Sequence, residues 1–88
     1  MTFRHVVADG VHGRRAVLEA IGEALDFPDY YGRNLDALYD LASDLSWLPV
    51  GEHVLVWSGG DPGVERVLAD AVVRTAGRAR FLTVEYPD

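Results

Sequence analysis

The sequence has 88 residues, no cysteine and a formal charge of −6, with 49% hydrophobic and 25% charged residues. Such a chain is expected to form one domain, residues 1–88, held by packing alone; the composition excludes a disordered tail, and the acidic balance excludes the basic stripe of a duplex binder. Apolar runs reach about four residues, as in Val54-Leu55-Val56-Trp57, far short of the roughly 20 that a membrane helix needs.

Phe3-Arg4-His5-Val6-Val7-Ala8 reads as a strand closed by the turn pair Asp9-Gly10. Residues 14–25 carry Ala16, Val17, Ala20, Ile21, Ala24 and Leu25 at helical spacing, with Arg15 and Glu19 paired at i,i+4 on the other side. Pro28 ends this helix, because it disfavours helical geometry at Phe27. The loop Asp29-Tyr30-Tyr31-Gly32-Arg33 leads to Asn34, an N-cap for a second helix over about 35–46. Trp47-Leu48-Pro49-Val50-Gly51 breaks that helix. His53-Val54-Leu55-Val56-Trp57 is the near-continuous apolar run of a strand covered on both faces. After the Ser58-Gly59-Gly60 turn, Asp61 caps a third helix with Pro62 at its first position. Val64, Val67, Leu68, Ala71 and Val72 form its apolar face, and Gly77 stops it. Arg80-Phe81-Leu82-Thr83-Val84-Glu85 is the last strand. The order β-α-α-β-α-β predicts an α/β fold, a small parallel sheet with helices packed on it.

The charge is concentrated. Residues 1–25 balance to zero, whereas residues 26–52 set Asp26, Asp29, Asp36, Asp40, Asp44 and Glu52 against Arg33 alone. On a wheel of the second helix, Leu35, Leu38, Leu41, Ala42 and Leu45 converge on the core face. Asp36, Asp40 and Asp44 stack at i,i+4 on the opposite face, with Ser43 and Tyr39 beside them. Each like-charge pair costs roughly 0.2–0.5 kcal/mol, and no Lys or Arg on this helix offsets it. An acidic, aromatic-bearing surface suits a cationic partner.

The string Asp29-Tyr30-Tyr31-Gly32-Arg33-Asn34-Leu35-Asp36-Ala37-Leu38-Tyr39-Asp40-Leu41 resembles the signature of the barstar family, intracellular protein inhibitors of secreted ribonucleases. More loosely, Phe27-Pro28, the apolar strand after Pro49 and Glu65-Arg66-Val67-Leu68 have counterparts there. The resemblance implies a three-stranded parallel sheet with three to four helices and no catalysis. It implies a protein partner, a secreted guanyl-specific-type ribonuclease. The chain would be a monomer when free and would form a heterodimer with that enzyme. In the family, the signature helix and its preceding loop plug the nuclease active site, with carboxylates in the place of substrate phosphate. Carried over, Asp40 matches the central anion, Asp36 its neighbouring acid, Tyr30, Gly32 and Asn34 the loop contacts, and Tyr39 the adjacent aromatic. Glu65 matches a peripheral acid, and one of the adjacent tyrosines, Tyr31, is expected to turn partly inward.

This sequence also departs from the family pattern. Arg33 stands where the best-known member is acidic, which marks it as a contact that weakens steering or redirects partner choice. Tyr39 replaces a tryptophan. Residues 43–51 differ, so the partner-facing roles of Ser43 and Asp44 rest on the acidic stripe alone. Leu48-Pro49 matches a cis site of the family, and the isomer is left open.

Other constellations are weaker. Ser58-Gly59-Gly60-Asp61 lacks the Lys-Ser/Thr ending of a phosphate loop and reads as a structural turn. His5, His12 and His53 lack ligand spacing and read as surface or strand histidines. No cofactor, metal, nucleic acid or membrane is called for. Residues 1–5 show no secretion signal, which with the missing cysteine leads to an expected cytoplasmic location. Two alternatives use the same residues: an immunity or adaptor module for a non-ribonuclease protein, and a Mg²⁺-dependent enzyme built on Asp36, Asp40 and Asp44.

Overall fold

The computed structural model describes residues 1–87. Its elements are β1 (Thr2–Val6), α1 (Arg14–Ala24), α2 (Leu35–Ala42), β2 (Gly51–Val56), α3 (Pro62–Thr75) and β3 (Arg80–Glu85). The strands form one parallel sheet in the order β1-β2-β3, with His5 opposite Leu55 and His53 opposite Leu82. This is the predicted α/β order, with three helices.

Sequential order with right-handed crossovers puts every helix on the same face of the sheet. The core follows. Leu55, Trp57 and Leu82 point to that face and meet Leu18, Ile21 and Leu25 of the α1 region, Leu38 and Leu41 of α2, and Val64 and Leu68 of α3. The molecule is 19 Å thick against 32 × 31 Å, which fits one sheet and one helix layer.

The expectation of a central strand covered on both faces is therefore met by different means. Val54 and Val56 are buried but belong to no helix-facing cluster. They lie under the side chains of their neighbours. Arg4 of β1 reaches across β2 to Glu85 of β3 with two hydrogen bonds of 3.0 and 2.9 Å, and Glu52 accepts from Thr2 and Thr83.

Local signals explain the element ends. Asn34 caps α2 by accepting from the Ala37 amide at 2.8 Å, and Asp61 caps α3 by accepting from Gly63 and Val64. The Arg14 guanidinium bonded to Asp61 holds that carboxyl below its ordinary value. Arg15 and Glu19 pair at 3.5 Å as their spacing requires. Gly77 follows α3 with φ 82°.

Three boundaries differ from the sequence reading. β1 and β2 are shifted, and β2 starts at Gly51. There φ is 141°, and a Cβ would collide with the Met1 carbonyl. α2 ends at Ala42 and not near 46. Leu45 takes a left-handed conformation (φ 57°) and reaches the core from a turn, while the Ser43 carbonyl accepts from Arg78 at 3.0 Å. The apolar spacing that suggests a fourth turn of helix is real, but Leu45 is buried without one. The Leu48–Pro49 bond is trans, since the described residues contain no cis peptide.

Candidate functional site

The loop between α1 and α2 is fixed from inside. The Phe27 amide donates to the Gly22 carbonyl at 2.8 Å, and the Tyr31 amide donates to the Pro28 carbonyl at 3.0 Å. Tyr31 is buried, its hydroxyl donating to the Leu18 carbonyl at 3.0 Å. Burial pushes this phenol up to about 12, and Arg33 opposes the shift. Phe27 stands edge-on to Tyr31 and to Trp47, whose indole donates to the Leu25 carbonyl at 2.9 Å. With Tyr31 committed to the core, its neighbour Tyr30 is 77% exposed. Of the two adjacent tyrosines, one therefore serves the fold and the other is presented to solvent.

Arg33 has φ 51°, a conformation that non-glycine residues adopt at some cost. Its guanidinium turns back to α1. It lies 3.3 Å from Glu19 Oε1, donates to the Tyr31 carbonyl at 3.2 Å and sits 6.0 Å from the Tyr31 ring centre. Arg33 lines a cleft with Glu19, Glu23, Asp26 and Asp29, which neither Asp36 nor Asp40 borders. Its positive charge is thus directed at α1, which accounts for a lone cation within an acidic segment.

The exposed face of α2 borders two depressions. One is a groove lined by Leu35, Asp36, Tyr39 and Asp40 from α2 and by Val67 and Asp70 from α3. The other is lined by Tyr30, Tyr31, Gly32, Ala37, Asp40 and Leu41. Asp40 is the residue with a carboxylate that borders both. It stands between the loop and α3, at the middle of the surface that Tyr30, Gly32, Asp36 and Tyr39 share.

The ion pairs sharpen this asymmetry. Arg4 is held by Glu85, Arg14 by Asp61, and Arg15 and Arg33 by Glu19. Arg78 and Arg80 donate to the Ser43 and Leu48 carbonyls. Among the described residues, no salt bridge involves Asp36, Asp40 or Asp70. Six of the eight arginines are engaged with other acids or with backbone carbonyls, and the lining of the α2–α3 groove holds three carboxylates and no basic residue.

Other expected positions lie elsewhere. Ser43 is buried (8% exposed), because α2 ends there and turns its side chain inward; it does not flank the acids. Asp44 lies past the helix end, exposed, accepting from Ser46 at 3.0 Å, so the three-acid row shortens to Asp36 and Asp40. Glu65 folds over the β2–α3 turn and accepts from the Gly60 amide at 3.0 Å, instead of lining the groove. The acid that α3 contributes is Asp70, which sequence reasoning missed. The signal was available: Asp70 follows Val67 at i+3, on the flank of the apolar face.

Chemically, the groove presents carboxylates as acceptors for charge-assisted hydrogen bonds, with an aromatic beside them. Among the described residues, no group of three or more His, Asp or Glu side chains is placed to hold a metal ion.

Comparison with known proteins agrees with this arrangement. The family model described as Barstar (barnase inhibitor) matches residues 1–81. The chain is 41% identical over 49 residues to "Putative ribonuclease inhibitor YrdF" of Bacillus subtilis (strain 168), a stretch covering 53% of this chain and 54% of that protein. The match thus spans about half the length of the curated relative. The signature loop, the capped α2, β1, β2 and α3 lie within the residues matched by the family model, which ends just inside β3, and the chain belongs to the barstar family.

Proposed function

We propose that this protein is a ribonuclease inhibitor and not an enzyme. It binds a small, basic, secreted ribonuclease one to one, inserts the α2 face into the active site, and protects the producing cell from its cytoplasm. The free protein is a monomer. The observation that carries this reading is the α2–α3 groove, whose lining holds Asp36, Asp40 and Asp70 and no basic residue, with none of these three acids in a salt bridge. Asp40 enters the catalytic pocket and accepts from the cationic groups that bind substrate phosphate. Tyr30 and Tyr39 add rigid contact area on either side. The complementary fields speed encounter, and salt slows it.

Arg33 is what suggested a different partner, and its engagement with Glu19 weakens that motive. The test is a titration of purified guanyl-specific ribonuclease against this chain, reading RNA cleavage at low and high salt. Activity falling to zero at one equivalent, with slower onset in high salt, is expected. Cleavage unchanged across a panel of such nucleases contradicts the proposal.

A further inference from the structure

Two histidines that take no part in the binding face meet inside the fold. His5 of β1 and His53 of β2 share the helix-facing side of the sheet, where Phe3 stacks on His53 at 5.0 Å and 11°. His53 is 0% exposed. The four ring nitrogens make three contacts in a row. His5 Nδ1 lies 3.0 Å from the Ala24 carbonyl, His5 Nε2 lies 2.9 Å from His53 Nδ1, and His53 Nε2 lies 2.7 Å from the Pro49 carbonyl.

Counting protons along this row is decisive. A carbonyl only accepts, so both outer nitrogens must carry N–H. The central contact needs one proton between its two nitrogens. Three contacts therefore need three ring protons. Two neutral imidazoles bring two, and one contact is then left with lone pairs facing each other. Two imidazoliums bring four, which sets two N–H groups head to head. One imidazole with one imidazolium satisfies every contact.

We propose that the His5–His53 pair is a one-proton site. In the folded protein it takes up a third ring proton, held between His5 Nε2 and His53 Nδ1, and it refuses a fourth.

The surroundings bear on both halves of this statement. From the end of α1 come the Ala24 carbonyl, which favours a charged His5, and Asp26, whose charge does the same. The connection before β2 supplies the Pro49 carbonyl. From β3, Leu82 lies opposite His53, and Arg80 donates to the Leu48 carbonyl, one residue before Pro49. Burial, and then the neighbouring His53, push His5 below its ordinary value, against the backbone bond and Asp26. The cost of desolvation is offset once, when the added proton completes the row. A second added proton gains no contact and breaks the central one.

The proton also has a structural reach. Ala24 closes α1 just before the binding loop, and Pro49 lies in the connection that follows α2. With three protons present, both ends of the unit that carries the binding face are bonded to the sheet. As pH rises and the third proton leaves, one of these bonds or the link between the rings is lost.

Histidine-ring NMR on the full-length, ¹⁵N-labelled protein tests the site between about pH 5 and 8.5, the range in which free imidazoles titrate. The expected result is uptake of one proton by the pair, in a single step sensed by both rings, with three ring N–H protons at the acid end. Two ring protons throughout, or two successive uptakes giving two imidazoliums in the folded protein, overturn the proposal. His5→Gln, monitored by the same spectra, is expected to abolish the shared step.

Discussion

Tyr31 occupies the space that any side chain on Gly22 would need: a Cβ built at Gly22 falls 2.8 Å from Tyr31 Cε2 and 2.9 Å from Cδ2. The absence of a side chain at Gly22 of α1 thus lets the loop before α2 dock. Gly22→Ala should destabilise the protein by about 1–3 kcal/mol, because overpacking outweighs the roughly 1 kcal/mol that alanine gains over glycine within a helix. Urea unfolding of the two proteins measures the difference, and a stabilised variant would refute the packing account.

The same tyrosine predicts an alkaline limit. The Tyr31 phenol is pushed up to about 12, above the value of about 10 expected when unfolded. A raised folded value means that its contribution is complete below about pH 10 and is lost as pH rises through 12. In an ultraviolet titration Tyr31 should ionise late, and Tyr31→Phe should remove that step and some of the alkaline loss of stability. An unchanged titration curve for the variant would show that Tyr31 is not the late group.

Asn34 supplies the one side-chain cap of α2. Asn34→Ala should cost about 1 kcal/mol, within a range of 0.5–2 for such caps, read by urea unfolding. A change confined to binding, with no loss of stability, would mean that the cap is not what Asn34 supplies.

Arg33 is predicted to matter little to binding. Its exposed ion pair with Glu19 is of a kind worth about 0–1 kcal/mol, so Arg33→Ala should lower stability by no more than that. Affinity for the ribonuclease should change by less than about tenfold, equivalent to about 1.4 kcal/mol. A larger loss, measured by calorimetric titration, would return Arg33 to the interface.

The strands, helix order and caps were legible because each has a local cause: apolar runs, Asn34, Asp61-Pro62 and Gly77. The acidic face was legible in Asp36, Tyr39 and Asp40, whose spacing within one helix suffices to align them. What failed depended on distant contacts. Leu45 keeps helical spacing yet reaches the core from a turn, with Arg78 of a remote segment bonded to the Ser43 carbonyl. Arg33 cannot be assigned without knowing that Glu19 lies within reach, and Asp70 cannot without the packing of α3 on α2. The burial of Val54 and Val56 beneath the Arg4–Glu85 bridge depends equally on strand register.

Asp40, bordering both depressions of the proposed binding face, carries the central claim. The direct test compares wild type and Asp40→Ala as inhibitors of a ribonuclease that the wild type blocks, with urea unfolding confirming that the variant folds. Asp40→Ala should lose at least about 2 kcal/mol of binding, roughly 30-fold in affinity; this hot-spot scale includes the barnase–barstar pair itself and is carried over from it. Inhibition by Asp40→Ala at wild-type affinity would contradict the account.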